Sequence, residues 1–121
     1  MLQETFVEAL IEKKAEKVVL YDCENYPLLV DSVIICQAST SVHLRALKEA
    51  VESCYASLKK TQLEGLVCRV SGDLDSGWLI IDLNDFIIHI MLDSLRDYYA
   101  LDDWVSTYAT LIRHESNGEG L

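Results

Sequence analysis

Residues 78–91, Trp78-Leu-Ile-Ile-Asp-Leu-Asn-Asp-Phe-Ile-Ile-His-Ile-Met91, constrain the fold more than any other stretch of this chain. Two apolar runs flank Asn84-Asp85, a dipeptide suited to a two-residue turn. Closing that turn pairs Leu83 with Phe86, Ile81 with Ile88 and Leu79 with Ile90. Side chains alternate along a strand, so these large apolar groups share one face of a hairpin. The opposite face pairs Asp82 with Ile87, Ile80 with His89 and Trp78 with Met91. The first face is pure core. The second mixes an indole, a thioether, a carboxylate and an imidazole, and is either covered by a helix or offered to a partner.

The rest of the chain supplies further strands and helices to cover that sheet. Leu2 to about Lys17 places Leu2, Phe6, Ala9, Leu10 and Lys13 at helical spacing. Lys17–Asp22 reads as a strand, Asn25-Tyr-Pro27 as a turn, and Leu29–Cys36 as a second strand. Ser39-Thr-Ser41 offers capping hydroxyls for a long helix to about Lys60. Its stripe is Leu44, Leu47, Val51, Cys54 and Leu58. Gly65–Ser71 reads as a third strand and Gly72–Gly77 as a polar loop. After the hairpin, Asp93-Ser94 begins a short helix holding Leu95, Tyr98 and Tyr99. Leu101, Trp104, Val105, Tyr108, Leu111 and Ile112 continue at helical spacing. The expected architecture is α/β, or more strictly α+β: one mixed sheet of about five strands packed with helices. A single domain is expected over residues 1–114, with 115–121 as a flexible tail.

Composition narrows the class. The chain has 121 residues, half of them apolar, with one Pro and five Gly. That suits a single domain with one core and excludes collagen-like or disordered chains. No apolar run approaches the roughly 20 residues that span a bilayer, and no basic-then-apolar leader is evident. A soluble cytoplasmic protein with no membrane partner is therefore expected. Cys23, Cys36, Cys54 and Cys68 contain no C-x-x-C spacing, so reduced thiols are expected rather than a zinc site. A net charge of −10 repels phosphate backbones and attracts basic proteins, so DNA is not an expected partner.

Four polar residues interrupt apolar runs: Asp31, Asp82, Asp85 and His89. Carboxylates beside a histidine serve metal-assisted or acid–base chemistry. They also serve turns and hydrogen-bonded strand pairs, which need no substrate. The strand followed by Ala38-Ser-Thr-Ser41 and a helix looks like an anion site, but it lacks the glycines of phosphate loops. His43 has no second histidine at helical spacing, and His114 is expected to be solvated. Trp78 is a core anchor or an exposed hot spot. Three functional readings stand: a docking protein, a metal-dependent nucleotidyltransferase-like enzyme using Asp31, Asp82 and Asp85, and a dimerisation module.

Four blocks, in order, resemble the bacterial ribosomal silencing factor, or Iojap-like, family. They are Asp31–Cys36, Ser39-Thr-Ser-Val-His43, Trp78–Asp82 with Asp85 and His89, and Arg96 with Tyr99 and Leu101. The chain departs from the pattern at Ala38 and Asn84, where glycine is usual, at Val42, where arginine is frequent, and in the shortened Leu101-Asp-Asp-Trp104. The resemblance implies a fold related to nucleotidyltransferases without a working active site, metal or cofactor. It implies binding to large-subunit ribosomal protein L14, a steric block to subunit joining, and repression of translation when nutrients are scarce. The expected L14-facing residues are Trp78, Ile80, Asp82, His89, Met91, Arg96 and Tyr99. Asp31, Ser39, Ser41, His43 and Asp85 are expected to be structural. A homodimer away from the ribosome is compatible with this reading.

Overall fold

A computed structural model describes residues 2–23, 30–61 and 65–115. The chain runs α1 (Leu2–Glu12), β1 (Glu16–Asp22), β2 (Ser32–Ala38), α2 (Ser41–Thr61), β3 (Arg69–Asp73), β4 (Trp78–Asp82), β5 (Phe86–Leu92), α3 (Asp93–Tyr99), α4 (Leu101–Tyr108) and β6 (Thr110–Glu115). The strands form one sheet in the order β3-β4-β5-β2-β1-β6. Among the described residues only the central β2–β5 pair is parallel; the other pairings are antiparallel. The architecture is therefore the expected α+β mixed sheet, with six strands among the described residues rather than about five.

The hairpin has the register that its sequence dictates. Trp78 faces Met91, Leu79 faces Ile90, Ile80 faces His89 and Ile81 faces Ile88. Asn84 takes φ 74, a left-handed value that a short amide side chain tolerates. Its N–H donates to Asp82 Oδ1 at 2.8 Å. Leu79, Ile81, Leu83, Phe86, Ile88 and Ile90 are all buried against α1 and α2, with Phe6, Leu10, Leu44, Leu47 and Val51 from the helices. Each fully buried aliphatic or aromatic side chain contributes about 1.5–3 kcal/mol of transfer free energy, so this layer dominates stability.

A smaller core lies on the opposite face, where Val19, Tyr21, Cys23, Val33 and Ile35 pack under Val105 of α4. The two C-terminal helices thus sit over the β5-β2-β1 half of the sheet.

Three local expectations are corrected. α1 stops at Glu12 rather than near Lys17, because the chain reverses there. The N–H groups of Lys13 and Ala15 fold back to the Leu10 carbonyl, and Lys14 has φ 66. β3 runs from Arg69 to Asp73, later than Gly65–Ser71, because its register is set by β4: Arg69 faces Asp82 and Asp73 faces Trp78. Leu66 instead lies beside α2, its carbonyl accepting from Tyr55 Oη at 2.9 Å. Leu111 and Ile112 are not helical. The chain turns extended at Ala109 and β6 pairs with the edge of β1, which places His114 opposite Val19 and Glu115 opposite Val18. The Asn25–Pro27 turn and residues 116–121 lie outside the described residues.

Candidate functional site

The second face of the hairpin is only partly covered. Trp78, Ile80 and Asp82 of β4 and Ile87 and His89 of β5 are half-buried. β3 beside them is exposed along its whole length. This leaves the β3–β4 end of the sheet as a shallow floor next to α3.

Trp78 is held in place by two contacts. Its indole Nε1–H donates to His89 Nδ1 at 3.0 Å. An indole N–H can only donate, so Nδ1 presents a lone pair and the imidazole carries its proton on Nε2. Burial pulls His89 down to about 4, outweighing the opposing pull of the Asp102 charge, and the ring is neutral at pH 7. The indole also meets the Tyr99 ring, tilted, with ring centroids 5.3 Å apart, and Tyr99 meets Tyr98 edge-on at 5.0 Å. Trp78 therefore touches the protein's own helix α3 and still reaches the surface.

Arg96 and Met91 do not occupy the surface positions expected of partner-binding residues. Met91 is fully buried and Arg96 is 7% exposed. The Arg96 guanidinium grips Asp102 through Nε and Nη2, both at 2.8 Å. Its Nη1 donates to the Lys17 carbonyl at 2.6 Å and to Gln37 Oε1 at 3.3 Å. Lys17 has φ 46 at an irregularity in β1, where the strand register with β2 shifts. Arg96 thus ties α3 and α4 to β1 and β2. Burial alone would raise the Asp102 carboxyl, but hydrogen bonds and charge from Arg96, with a further bond from Tyr21, hold it below the usual carboxylate range.

The residues expected to be structural are distributed along the chain's turns. Asp31 N–H donates to the Asp85 carbonyl at 2.7 Å, so these two meet through the main chain. The helix cap is Thr40, whose Oγ1 accepts the His43 N–H at 3.1 Å; Ser39 and Ser41 flank it, exposed. His43 Nε2 donates to the Lys13 carbonyl at 2.9 Å and fastens the start of α2 to the α1–β1 turn. Among the described residues no group of three or more His, Cys, Asp or Glu side chains converges as a metal site would require. All four cysteines are free, and burial pushes Cys36 up to about 12.

The sequence reading missed the surface character of the aromatics beyond Tyr99. Tyr98 is 79% exposed, Trp104 57% and Tyr108 37%, and Trp104 packs on Tyr108 with centroids 5.0 Å apart. Of the stripe read at helical spacing, only Val105 is buried. The one available signal was that Asp97 and Asp103 immediately precede Tyr98 and Trp104, which is unusual for core positions.

Fold and surface together define a class: an α+β domain built on one mixed sheet, with a half-open face edged by aromatic side chains. The chain belongs to the RsfS family, whose model, described as "Ribosomal silencing factor during starvation", matches residues 1–116. It is 29% identical over 97 residues to the ribosomal silencing factor RsfS of Halalkalibacterium halodurans, covering 79% of this chain and 78% of that one. It is 27% identical to the Haemophilus influenzae protein of the same name, over 84% of this chain and 94% of that one. A crystal structure of a Chromobacterium violaceum protein has the same fold, with a TM-score of 0.74 at 22% identity, covering 98% of this chain and 91% of that one.

Proposed function

We propose that this protein silences ribosomes in the cytoplasm by binding large-subunit protein L14 and occluding the surface needed for small-subunit joining. The observation that carries this reading is the family match across residues 1–116. Steric occlusion needs no turnover, only a surface that binds and a body bulky enough to block. The half-open floor of Trp78, Ile80 and Asp82, walled by Tyr99, supplies an aromatic anchor with apolar area and orienting polar groups around it. A net charge of −10 steers the chain toward basic ribosomal protein and away from bare RNA.

The test is co-sedimentation with purified large subunits, followed by addition of small subunits. The protein should pellet with large subunits and reduce the yield of joined ribosomes in proportion to its occupancy. Unchanged joining at saturating protein would reject the proposal. Trp78→Ala should retain the fold yet weaken binding to isolated L14 by calorimetry; unchanged affinity would remove Trp78 from the interface.

A further inference from the structure

We propose that the exposed ridge of α3 and α4, bearing Tyr98, Tyr99, Trp104 and Tyr108 with Asp97 and Asp103, docks arginine- and lysine-bearing protein surface. Where the docked protein is ribosomal, this rests on the silencing reading above and adds to the β4–β5 floor a second, chemically selective part of the same interface.

Large aromatics stand out to solvent in two ring-on-ring contacts, Tyr98 with Tyr99 and Trp104 with Tyr108. Singly exposed apolar groups are ordinary, but clustered ones mark interaction surface. The charge around them is one-sided. Between Asp93 and Tyr108 the only cation is Arg96, which is buried and bound to Asp102. Asp97 and Asp103 are exposed, each one residue before an exposed aromatic. Lys17 lies across the neighbouring cleft from them, which leaves the local charge negative.

This combination selects its ligand. A guanidinium or ammonium group is attracted by an aromatic face and by an adjacent carboxylate at once. Phosphate of RNA or of an anionic membrane is repelled by the same carboxylates. A second copy of this ridge, brought up by a twofold axis, would set Asp97 and Asp103 against like charges. A basic protein face is the occupant that satisfies both halves of the surface.

Two measurements decide it. In the first, the isotope-labelled full chain is titrated with a short arginine-rich peptide, with a glutamate-rich peptide as control. Amide shifts should map to residues 97–108 and fall at least fivefold in an Asp97→Asn, Asp103→Asn variant. Shifts that map elsewhere, or that survive the double substitution, overturn the proposal. In the second, purified large subunits are bound by Tyr98→Leu, Tyr98→Phe and Trp104→Ala. Tyr98→Leu and Trp104→Ala should each weaken binding about tenfold, and Tyr98→Phe, which keeps the ring, less than twofold. Glu49→Gln on the far face of α2 should have no effect. Leu and Phe behaving alike at position 98 would overturn the aromatic half of the inference. Failure of the wild-type chain to bind large subunits would sink the silencing reading, while the peptide titration still decides the ridge. A dimer in sedimentation that is lost in Trp104→Ala would instead assign the ridge to self-association.

Discussion

Arg96 and Asp102 meet through two parallel hydrogen bonds, both 2.8 Å, and this pair fixes the C-terminal helices on the sheet. The geometry is bidentate and half-enclosed, so removing one partner strands the other. Arg96→Ala should destabilise the protein by about 3–5 kcal/mol, since it also leaves the Gln37 side chain and the Lys17 carbonyl without their donor. Arg96→Lys should recover little of this, because a single ammonium cannot satisfy Asp102, Gln37 and Lys17 together. Urea denaturation of both variants checks it. A loss below about 1 kcal/mol for Arg96→Ala would mean that the pair is as weak as a surface ion pair.

His89 makes stability depend on pH in a definite window. Its folded-state pKa is lowered to about 4 by burial, against an ordinary value of 6.5. Between these values the unfolded chain binds the proton and the folded chain does not. Its contribution is thus fully present above about pH 6.5 and is lost as pH falls toward 4, at up to about 1.4 kcal/mol per pH unit. Asp102, whose pKa is lowered overall despite its burial, acts in the same direction but below the ordinary carboxylate range, so the windows separate. The difference in unfolding free energy between wild type and His89→Gln should therefore change across pH 4–6.5 and be flat from 7 to 8. A constant difference would show that His89 titrates normally in the folded state.

The hairpin was legible because every signal in it is local. Period-two alternation, a turn dipeptide and symmetric apolar runs fix the register without knowledge of the rest of the chain. What was lost depends on distant partners. Leu111 and Ile112 happen to fall at helical spacing after Trp104 and Tyr108. Their true state is decided by the free edge of β1, about ninety residues earlier, which offers a hydrogen-bonding ladder that no local pattern reveals. Arg96 was expected to face a partner because its block resembles the family's. Its burial is fixed by Lys17 and Gln37, 79 and 59 residues away. Met91 was rightly placed on the mixed face, opposite Trp78, but it is fully buried there.

Gly72 and Gly77 bracket the approach to Trp78 and should not respond equally to alanine. Both have positive φ, 80 and 78. A Cβ on Gly72 would collide with the Trp78 carbonyl oxygen, which is main chain and fixed by the β3–β4 pairing. A Cβ on Gly77 would meet the ends of the Leu92 and Leu95 side chains at 2.8 and 2.9 Å, and these can rotate away. Gly72→Ala should cost about 2–4 kcal/mol and Gly77→Ala about 1–2 kcal/mol. Thermal unfolding of the two variants gives the ranking, and the reverse order would place the rigid contact at Leu92 instead.

Ala100 joins the two halves of the aromatic ridge in a conformation that alanine tolerates poorly. It closes α3 in the left-handed region, φ 49 and ψ 43, with its N–H donating to the Arg96 carbonyl at 3.0 Å. Glycine is the preferred residue at such a helix end because it has no Cβ to crowd the following carbonyl. Ala100→Gly removes a strain of about 1–2 kcal/mol and adds about 0.5–1 kcal/mol of unfolded-chain entropy, so the two effects oppose. The strain term is larger, and the substitution should stabilise the protein by about 0.5–1 kcal/mol, raising the midpoint by about 2–5 °C. Because the N–H to Arg96 is retained, the Arg96–Asp102 pair should persist and large-subunit binding should stay within twofold of wild type. A lowered midpoint in calorimetry would show that the Ala100 methyl makes a packing contact worth more than the strain it carries.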